Sequence, residues 1–515
     1  MRFIRTTGKK EELKVTDMGK RTAAADIGAS SGKMALGVYD GNKLSVEEYR
    51  DFENRPVNIG SALYWDLFSL YHSIVDGLAY FSGKYGEPDT LGVDTWGATY
   101  GLLDRQGRLL EPVYHYRDKR TSRTLQDMER VMDMRELFFL TGCQCNRTYT
   151  LPQLYSYVTE ENPALENADT MLLLPDLLGY FLTGVKNSEM TIAGTSCLMD
   201  TTQEKWSREV AARFSIPERI YTEIVDPGTV KGNLSERIKL ETGCRKTKLM
   251  AAVGHDTASA VAAIPNFGPE KLYISVGTNI NMGVEREQVF VNDTAYRKGL
   301  KNTGGIHRRK IVYRDFSACW HINEYRRTKQ EGGWNLSHEE MIRMAEQVKG
   351  EVPWFDAEAD LFVDAGGDFC EKMNRYFKAT GQRQLTEEGE FIRSIYESIA
   401  LKTRFYGDAF QEAGLNFGEI NVISGGTRND LLMQMISNAF GSTVLAGMPY
   451  ATLYGNLLTQ LYGMGEVASV EEMRELSARS FHMKVYEPEE TQKWREFYEM
   501  YKEIIRKGER LKNKS

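Results

Sequence analysis

The 515-residue sequence has few cysteines and no long apolar segment. Six cysteines are too few for a disulfide framework in a chain of this length, and Cys143 and Cys145 have no Cys/His pair at zinc spacing beside them. We therefore expect reduced, structural thiols. No run of about 18 apolar residues occurs, so no membrane span is predicted. Residues 1–20 are charged and lack the apolar core of a signal peptide, which favours a cytoplasmic protein.

Strong positive charge is also lacking, because the net charge is −7. Nucleic acid and anionic membranes are therefore not expected partners. The P-loop pattern G-x-x-x-x-G-K-[ST] and the protein-kinase signatures are absent, which disfavours those two nucleotide-binding classes. The length itself predicts two domains of about 200 residues or more. The sequence does not distinguish a monomer from a homodimer.

The hydrophobic pattern of the first hundred residues predicts an α/β fold. Strands are expected at Thr22–Ile27, Met34–Tyr39 and Ser45–Phe52, and a further strand at Thr90–Asp94. Between them, apolar residues recur at helical spacing over 66–81, with Asp66 as a plausible cap. Strands and helices thus alternate, which is typical of α/β domains.

The second half of the chain repeats the opening pattern. Residues 120–250 are predicted to be mostly helical, after which a strand at Lys271–Val276 leads into Gly277 and Thr278. This unit resembles the first strand and its glycine turn, which suggests duplication of one α/β domain. A long amphipathic helix over 391–413, a strand at Glu419–Ile423 and a helix beginning at Asn429 or Asp430 follow.

The stretch from Asp26 to Lys33 reads as a strand that enters a turn of glycine and small hydroxyl residues. Such a turn exposes backbone N–H groups without bulky side chains, which suits a polyphosphate. Asp26 could orient a hydrated Mg²⁺, and Lys33 could offset charge on a transferring phosphoryl group. The alternative is a plain β-hairpin turn.

A second motif places Asp256 beside His255 between two runs of small residues. The carboxylate could act as the base for a sugar hydroxyl, while its structural alternative is a helix N-cap; both can hold at once. His255 is expected to bind a substrate hydroxyl. Trp96 and Gly97 would form the wall and floor of a pocket, or else pack in the core.

A third motif, Gly425-Gly426, follows the predicted strand at Glu419–Ile423 and precedes a helix. Here the backbone could meet the adenine or its ribose, whereas the alternative is an ordinary loop that leads into a helix.

Together these motifs resemble the FGGY carbohydrate kinases. The matching stretches occur in the family's order over about residues 22–460: Asp26-Ile-Gly-Ala-Ser-Ser-Gly-Lys33, Gly92-Val-Asp-Thr-Trp-Gly97, Tyr116-Arg-Asp-Lys-Arg120, Leu174-Pro-Asp176, Gly254-His-Asp-Thr-Ala-Ser-Ala260, Val276-Gly-Thr278 and Ser424-Gly-Gly426. The resemblance implies two actin-like (ribonuclease-H-like) α/β domains with the active site in the cleft between them. It divides the chain into a lead-in over 1–20, a sugar-binding domain over 21–264, a nucleotide-binding domain over 265–465 and a charged helical tail over 466–515.

The resemblance also implies a role for individual residues. Asp256 falls on the catalytic base and Asp26 on the acid near Mg²⁺. Sugar-contacting positions fall on Gly97, His255, Asp256, Thr257 and Asp315. ATP-contacting positions fall on Ala29, Ser30, Ser31, Gly32, Lys33, Thr278, Asn323, Gly425 and Gly426. The implied cofactors are ATP and Mg²⁺.

Several positions depart from the branch of the family that acts on L-rhamnulose. Asn279 replaces a tryptophan, Asp315 a sugar-contacting asparagine and Asn323 a nucleotide-contacting glutamine, while Tyr450 and Thr99 replace acidic residues. The exchange at Asp315 removes hydrogen-bond donors and adds charge, so it should change which hydroxyl is accepted.

The expected function is ATP-dependent phosphorylation of a small sugar, a ketose such as L-rhamnulose, at its terminal hydroxyl. The alternatives are a kinase for another ketose or polyol, such as fuculose or xylulose, and a catalytically weak relative that binds sugar or nucleotide. An actin-fold ATPase acting on proteins is disfavoured because the sequence offers no separate peptide-binding segment.

Overall fold

The computed structural model describes residues 19–512 except residue 364. The predicted lead-in over 1–20 therefore lies almost entirely outside the described residues, and Lys20 already begins the first strand. No helix within the described ranges is long and apolar enough to cross a membrane.

The strands, in chain order, are β1 (Lys20–Ile27), β2 (Ser31–Tyr39), β3 (Leu44–Glu53), β4 (Pro56–Ile59), β5 (Ala62–Trp65), β6 (Thr90–Thr95), β7 (Tyr100–Leu103), β8 (Thr170–Leu173), β9 (Ser188–Glu189), β10 (Met199–Asp200), β11 (Lys205–Trp206), β12 (Ile224–Val225), β13 (Val230–Asn233), β14 (Lys248–Met250), β15 (Lys271–Val276), β16 (Asn279–Arg286), β17 (Lys301–Gly304), β18 (Lys310–Ser317), β19 (Glu419–Ile423), β20 (Val444–Gly447) and β21 (Met483–Tyr486).

The α-helices are α1 (Leu67–Tyr85), α2 (Thr124–Glu129), α3 (Met134–Thr141), α4 (Thr150–Thr159), α5 (Pro163–Asn167), α6 (Leu174–Thr183), α7 (Met190–Ala193), α8 (Arg208–Arg213), α9 (Glu236–Thr242), α10 (Asp256–Ala262), α11 (Asp293–Arg297), α12 (Cys319–Glu331), α13 (His338–Glu346), α14 (Phe369–Ala379), α15 (Glu388–Glu412), α16 (Asp430–Phe440), α17 (Ala451–Gly463), α18 (Val470–Ser480) and α19 (Thr491–Lys512). Short 3₁₀ helices lie at Lys119–Thr121, Gly194–Ser196, Glu218–Ile220, Ile306–Arg308, Asp360–Phe362 and Gly425–Arg428.

Two large sheets share one topology. The first has six strands in the order β13-β14-β6-β1-β2-β3, and the second has seven in the order β17-β18-β16-β15-β19-β20-β21. In each, the central strand (β1 or β15) pairs antiparallel with the next strand along the chain and parallel with a later one (β6 or β19). This shared order confirms the predicted duplication, and β17 is the strand that the second sheet adds.

Helix α1 shows how local sequence determines an element. The Asp66 carboxylate accepts a hydrogen bond from the Ser69 N–H at 3.1 Å, and Gly86 ends the helix with φ of 86°. Leu67, Leu70, Ile74, Leu78 and Phe81, spaced three or four residues apart, are buried against the first sheet. The predicted helix and its cap are confirmed, and the helix continues for one further turn.

Helices α10 and α17 join the two halves of the chain. They pack on each other in one apolar cluster, and α17 also lies against β1 and β6 of the first sheet. There the Asn456 side chain donates to Asp94 at 2.6 Å, and Gln460 Nε2 donates to the Ala23 carbonyl at 2.9 Å. The first sheet is thus completed by side chains from far along the chain.

Two predicted regions differ from the structure. The middle region contains short strands between its helices, including β8 to β14. The tail beyond 465 is not only helical, because β21 pairs antiparallel with β20 at the edge of the second sheet. Its apolar residues Trp494, Phe497 and Tyr501 are buried in the core of that half. The tail therefore completes the second sheet rather than covering it from outside.

Candidate active site

Asp26 and Asp94 lie side by side near the carboxyl ends of β1 and β6, where they are register partners. Ligands of open α/β sheets bind beyond the carboxyl ends of parallel strands, so this pair lies where a ligand is expected. After Asp26 the chain makes a short turn over residues 28–30, which the Gly28 N–H closes by donating to the Ser31 carbonyl at 3.0 Å. Asn54 Nδ2 holds the turn by donating to the Gly28 carbonyl at 2.9 Å.

The proposed phosphate loop is shorter than the sequence suggested. Ala29 and Ser30 are exposed on the turn, but Ser31, Gly32 and Lys33 belong to β2, where Lys33 is the register partner of Asp26. Gly32 packs against the Phe52 ring, and a Cβ there would come within 2.1 Å of that ring. The prediction of a continuous loop to Lys33 was wrong because the antiparallel pairing of β1 and β2 extends close to the turn.

Asp256 begins helix α10 after a five-residue connection, 251–255, from β14. The N-cap of this helix is His255, and Asp256 occupies the first helical position, so the expectation of an Asp256 cap was off by one residue. The Asp256 carboxylate accepts from the Thr257 N–H at 2.5 Å and is 32% exposed. The adjacent strand β6 fixes the loop, because the Thr95 N–H donates to the Gly254 carbonyl at 2.9 Å.

A buried carboxylate anchors the same loop from the opposite side. Glu189 accepts from the N–H groups of Gly254 and Ile192, each at 3.0 Å, and from the Thr191 hydroxyl at 2.6 Å. The Thr191 hydroxyl in turn accepts from the His255 N–H at 3.2 Å. Burial raises the pKa of Glu189 to about 7 despite these bonds. The sequence analysis did not identify Glu189, since its role depends on a contact across 65 residues.

The three aspartates interact electrostatically. Burial and the neighbouring Asp256 carboxylate raise the pKa of Asp26 to about 7, although the Lys33 charge lowers it. Burial, and next the Asp26 charge, raise the pKa of Asp94 well above its ordinary value. Asp256 is therefore close to the pair, and a cation between these carboxylates would relieve their mutual repulsion.

The carboxylates fit a hydrated divalent cation better than a fully protein-bound one. Within 19–363 and 365–512, no group of three or more His, Cys, Asp or Glu residues has the geometry of a metal cage. Asp94 Oδ1 is nevertheless buried without a hydrogen-bond partner among the described atoms. Mg²⁺ keeps several waters and commonly takes only one or two carboxylates together with substrate phosphates. The Asp26 and Asp94 pair meets that requirement.

A cavity of about 510 Å³ opens beside the turn of the second sheet. Asn323 on α12 and Gly425 and Gly426 before α16 line it, as do apolar side chains that could enclose a flat ring: Val276, Ile322, Ile342, Tyr396 and Leu432. Gly426 has to be glycine, because a Cβ there would come within 2.2 Å of Val276 Cγ1. Thr278 is exposed next to this cavity, and Gly277, its neighbour, contributes to the lining.

One tyrosine connects this cavity to the first hairpin. Arg428, which lines the cavity, donates to the Tyr450 hydroxyl at 2.8 Å. The Lys33 ammonium, which is ion-paired with Asp51, lies 5.1 Å from the centre of the Tyr450 ring. Two cations from different halves of the chain thus meet at Tyr450. Tyr450 replaces the acidic residue that the family resemblance implies at this position, so both cations contact a neutral side chain here.

Aromatic and polar groups lie near Asp256 at one end of the site. Tyr116 is close enough for the Asp256 charge to contribute to the raised pKa of its phenol, after the larger effect of burial. Gly97 packs against Thr195, where a Cβ would come within 2.7 Å. Trp96 is 7% exposed and packs on Trp65 at 4.2 Å, so it belongs to the core rather than to a pocket wall.

His255 and Asp315 lie at this same end of the site. His255 Nε2 is 3.6 Å from Asp256 Oδ1, and its Nδ1 is 3.5 Å from the Thr303 hydroxyl. Burial lowers the pKa of His255, which leaves it neutral at pH 7. Asp315 on β18 is ion-paired with Lys301 on β17, and both charges act on His255. The sequence analysis named Asp315 but not Lys301.

Comparison with known proteins identifies similar chains over nearly the whole length. The N-terminal-domain model of the FGGY family of carbohydrate kinases matches residues 23–263, and its C-terminal-domain model matches residues 272–464. A rhamnulokinase of Bacteroides thetaiotaomicron is 32% identical, with 94% of this chain and 99% of that protein covered.

Solved structures show the same architecture. A xylulose kinase of Lactobacillus acidophilus superposes with a TM-score of 0.79 at 14% identity, covering 94% of this chain and 97% of that one. A glycerol kinase of Plasmodium falciparum, solved with ADP, gives a TM-score of 0.78 at 15% identity and covers 96% and 99%. These likenesses establish the two-domain actin-like fold.

Proposed function

Because the chain belongs to the FGGY family of carbohydrate kinases, we propose that it transfers the γ-phosphate of ATP to the terminal hydroxyl of a small ketose such as L-rhamnulose. The observation that carries this proposal is the position of Asp256, a partly exposed carboxylate close to the Asp26 and Asp94 pair and bordered by His255 and Tyr116. The similarity to rhamnulokinases supports the choice of sugar.

In this mechanism Asp256 is the general base. The sugar hydroxyl oxygen forms a bond to the γ-phosphorus, the bond from that phosphorus to the β–γ bridging oxygen breaks, and ADP leaves. The hydroxyl proton passes to Asp256 as attack proceeds, because the alcohol becomes acidic only then. Its position supports this role, since the carboxylate at the first helical residue of α10 is 32% exposed and a bound hydroxyl can reach it.

The phosphates would lie between the turn that joins β1 to β2 and the turn that joins β15 to β16. Ala29 and Ser30 present a turn without bulky side chains, and Lys33 and Arg428 would offset phosphate charge. Asp26, with Asp94 beside it, would hold a hydrated Mg²⁺, which supplies positive charge to the phosphates when it is bound. The adenine of ATP would occupy the cavity lined by Asn323, Gly425 and Gly426.

This arrangement assigns the two halves different ligands. We propose a sugar-binding domain over 21–264 and a nucleotide-binding domain over 265–465, with β18 contributing Asp315 to the sugar site. Closure of the domains would exclude water, which otherwise would accept the phosphoryl group in place of the sugar.

An ADP-release assay over a panel of ketoses and polyols, with and without Mg²⁺, tests the proposal. L-Rhamnulose, L-fuculose, D-xylulose and glycerol form the panel, and product mass identifies the phosphorylated sugar. The expected result is Mg²⁺-dependent turnover with the highest kcat/KM on one ketose. Turnover on a different polyol would correct the sugar, and ATP binding without turnover on any of them would contradict the kinase assignment.

A further inference from the structure

A largely buried lysine, Lys301, lies near His255 and pairs with Asp315. Lys301 begins β17 directly opposite Tyr313 of β18, and Asp315 lies two residues beyond Tyr313 on the same face of the sheet. Lys301 and Asp315 form an ion pair in which the lysine side chain is 12% exposed and the aspartate 45%. The carboxylate is therefore the more exposed member of the pair, while the ammonium is largely covered.

Two aromatic rings hold the ammonium in this position. Lys301 Nζ lies 4.9 Å from the centre of the Tyr313 ring and 5.6 Å from that of the Tyr149 ring. Such contacts stabilise a cation that has lost part of its water. Burial lowers the pKa of Lys301, but Tyr313 and Asp315 outweigh it and raise that pKa overall. The lysine is thus charged and has little freedom to move.

The ion pair borders the same space as the proposed base. Thr303 follows Lys301 by two residues on β17, so both side chains point to one face. The Thr303 hydroxyl is 3.5 Å from His255, which in turn is 3.6 Å from the Asp256 carboxylate. A sugar bound against Asp256 and His255 would therefore meet Asp315.

We propose that Lys301 is a specificity-determining residue of the sugar site, which holds Asp315 in place as an acceptor for sugar hydroxyls. This inference rests on the proposed function and concerns the class of sugar. An ionised carboxylate only accepts hydrogen bonds, so a substrate has to offer hydroxyl donors there. Asp256 and Asp315 carry two negative charges against the single charge of Lys301, so the pocket selects neutral ketoses and polyols and rejects sugar acids.

Loss of Lys301 alone should weaken sugar binding more than loss of both charges of the pair. Without Lys301, Asp315 becomes an unpaired carboxylate that repels Asp256 and turns toward water. With asparagine at 315 as well, the pocket is neutral there and can bind sugar again, with altered preference.

The test compares the wild type with Lys301→Met, Asp315→Asn and the double variant, using the best sugar of the panel, D-gluconate and ATP. Lys301→Met is expected to raise the sugar KM by about tenfold or more, while kcat changes by less than about threefold and the ATP KM by less than about twofold. The double variant should recover at least half of that loss on a logarithmic scale. Asp315→Asn should reduce the discrimination against D-gluconate.

Lys298→Met is the matched control. It removes a lysine three residues earlier that pairs with Glu412 at the surface, with side-chain exposures of 35% and 55%. Its sugar KM should equal that of the wild type. Thermal melting and the ATP KM confirm that each variant is folded. If Lys301→Met does not fold, the discrimination of Asp315→Asn against D-gluconate tests the inference instead. This variant should fold, because Asp315 is half-exposed.

Three results would overturn the inference: a sugar KM for Lys301→Met within twofold of the wild type, an equal rise in the ATP KM, or a double variant no better than Lys301→Met. Failure of the proposed function looks different, because the wild type itself would then turn over no sugar. In that case calorimetric titration with the same panel compares the sugar affinities of the wild type and Lys301→Met. Equal affinities would reject the role of Lys301.

Discussion

Asp26 and Asp94 face each other across two parallel strands, and only one of them reaches solvent. Asp94 is fully buried and accepts a hydrogen bond from Asn456, whereas Asp26 is partly exposed and opposite Lys33. Two carboxylates so placed are costly without a proton or a cation between them. Ionisation of both carboxyls is therefore unfavourable at the place where phosphates are proposed to bind.

A pH-dependent stability follows from Asp26. Its pKa is about 7 in the folded state against an ordinary value of 3.8, so between these values the folded state holds a proton that the unfolded state has lost. Stability should therefore fall as pH rises from about 4 to 7 and level off above. Asp26→Asn should remove part of this slope, on the order of 2 kcal/mol between pH 5 and 7.

Urea unfolding of the chelator-treated protein at pH 5 and 7 measures that slope. Asp76→Asn, at an exposed position of α1, is the control and should leave the slope unchanged. Addition of Mg²⁺ at pH 7 should raise the melting temperature of the wild type more than that of Asp26→Asn. Equal slopes in the wild type and Asp26→Asn would show that this carboxyl is not the group that retains its proton.

Asp256→Asn should abolish sugar phosphorylation while leaving ATP binding nearly intact. The amide keeps an oxygen to accept the Thr257 N–H but cannot take a proton, so kcat should fall by about 10²–10⁴. Steady-state kinetics and nucleotide titration measure the two effects. Thr257→Ser keeps the N–H donor and should retain most activity. More than a few per cent of wild-type kcat in Asp256→Asn would remove this residue from the base role.

The two glycines of the proposed nucleotide cavity should respond differently to alanine. Gly426→Ala would drive a methyl group into Val276, which should cost about 1–3 kcal/mol and raise the ATP KM by displacing the turn. Gly425→Ala adds the same group where no atom lies within 4 Å, so its melting temperature should match the wild type. Equal melting temperatures for both variants would contradict the packing described for Gly426.

Glu189→Gln tests the anchor of the loop that precedes Asp256. The amide replaces one acceptor oxygen with an NH₂ group, and in either orientation that group meets an N–H donor of Gly254, Thr191 or Ile192. A loss of about 1–3 kcal/mol in stability and a lower kcat are expected, because Asp256 follows directly after this loop. Glu236→Gln at an exposed helix position should change neither quantity. An unchanged kcat in Glu189→Gln would separate loop anchoring from catalysis.

The sequence predicted those features that depend on local pattern. The cap at Asp66, the apolar face of α1 and the start of α16 at Asp430, directly after its N-cap Asn429, follow from residues within a few positions of each other, and the structure has all three. The shared motif of β1 and β15 likewise indicated the duplication. These signals were sufficient because helix faces and strand–turn units are determined by residues that are close together in the sequence.

The contacts that shape the site were not predictable in the same way. Asp94 matters through its register with Asp26, and Lys301 through a pairing of β17 with β18. Neither register can be read from one sequence, because strand pairing depends on the whole sheet. Strand β21 was missed for the same reason: its four residues, Met483–Tyr486, form a strand only by pairing with β20 at the edge of the sheet.

The attachment of α17 to the first sheet has a consequence for synthesis. The ribosome completes the strands of the first sheet when residue 250 has emerged, yet the amide groups of Asn456 and Gln460 that bind Asp94 and the Ala23 carbonyl are made some two hundred residues later. The N-terminal half therefore waits, with its central strands incompletely covered, until translation is nearly finished. During that interval the apolar residues of β1 and β2 that pack on α17, such as Ala24 and Ala35, would lack that cover, and such exposed surface favours aggregation.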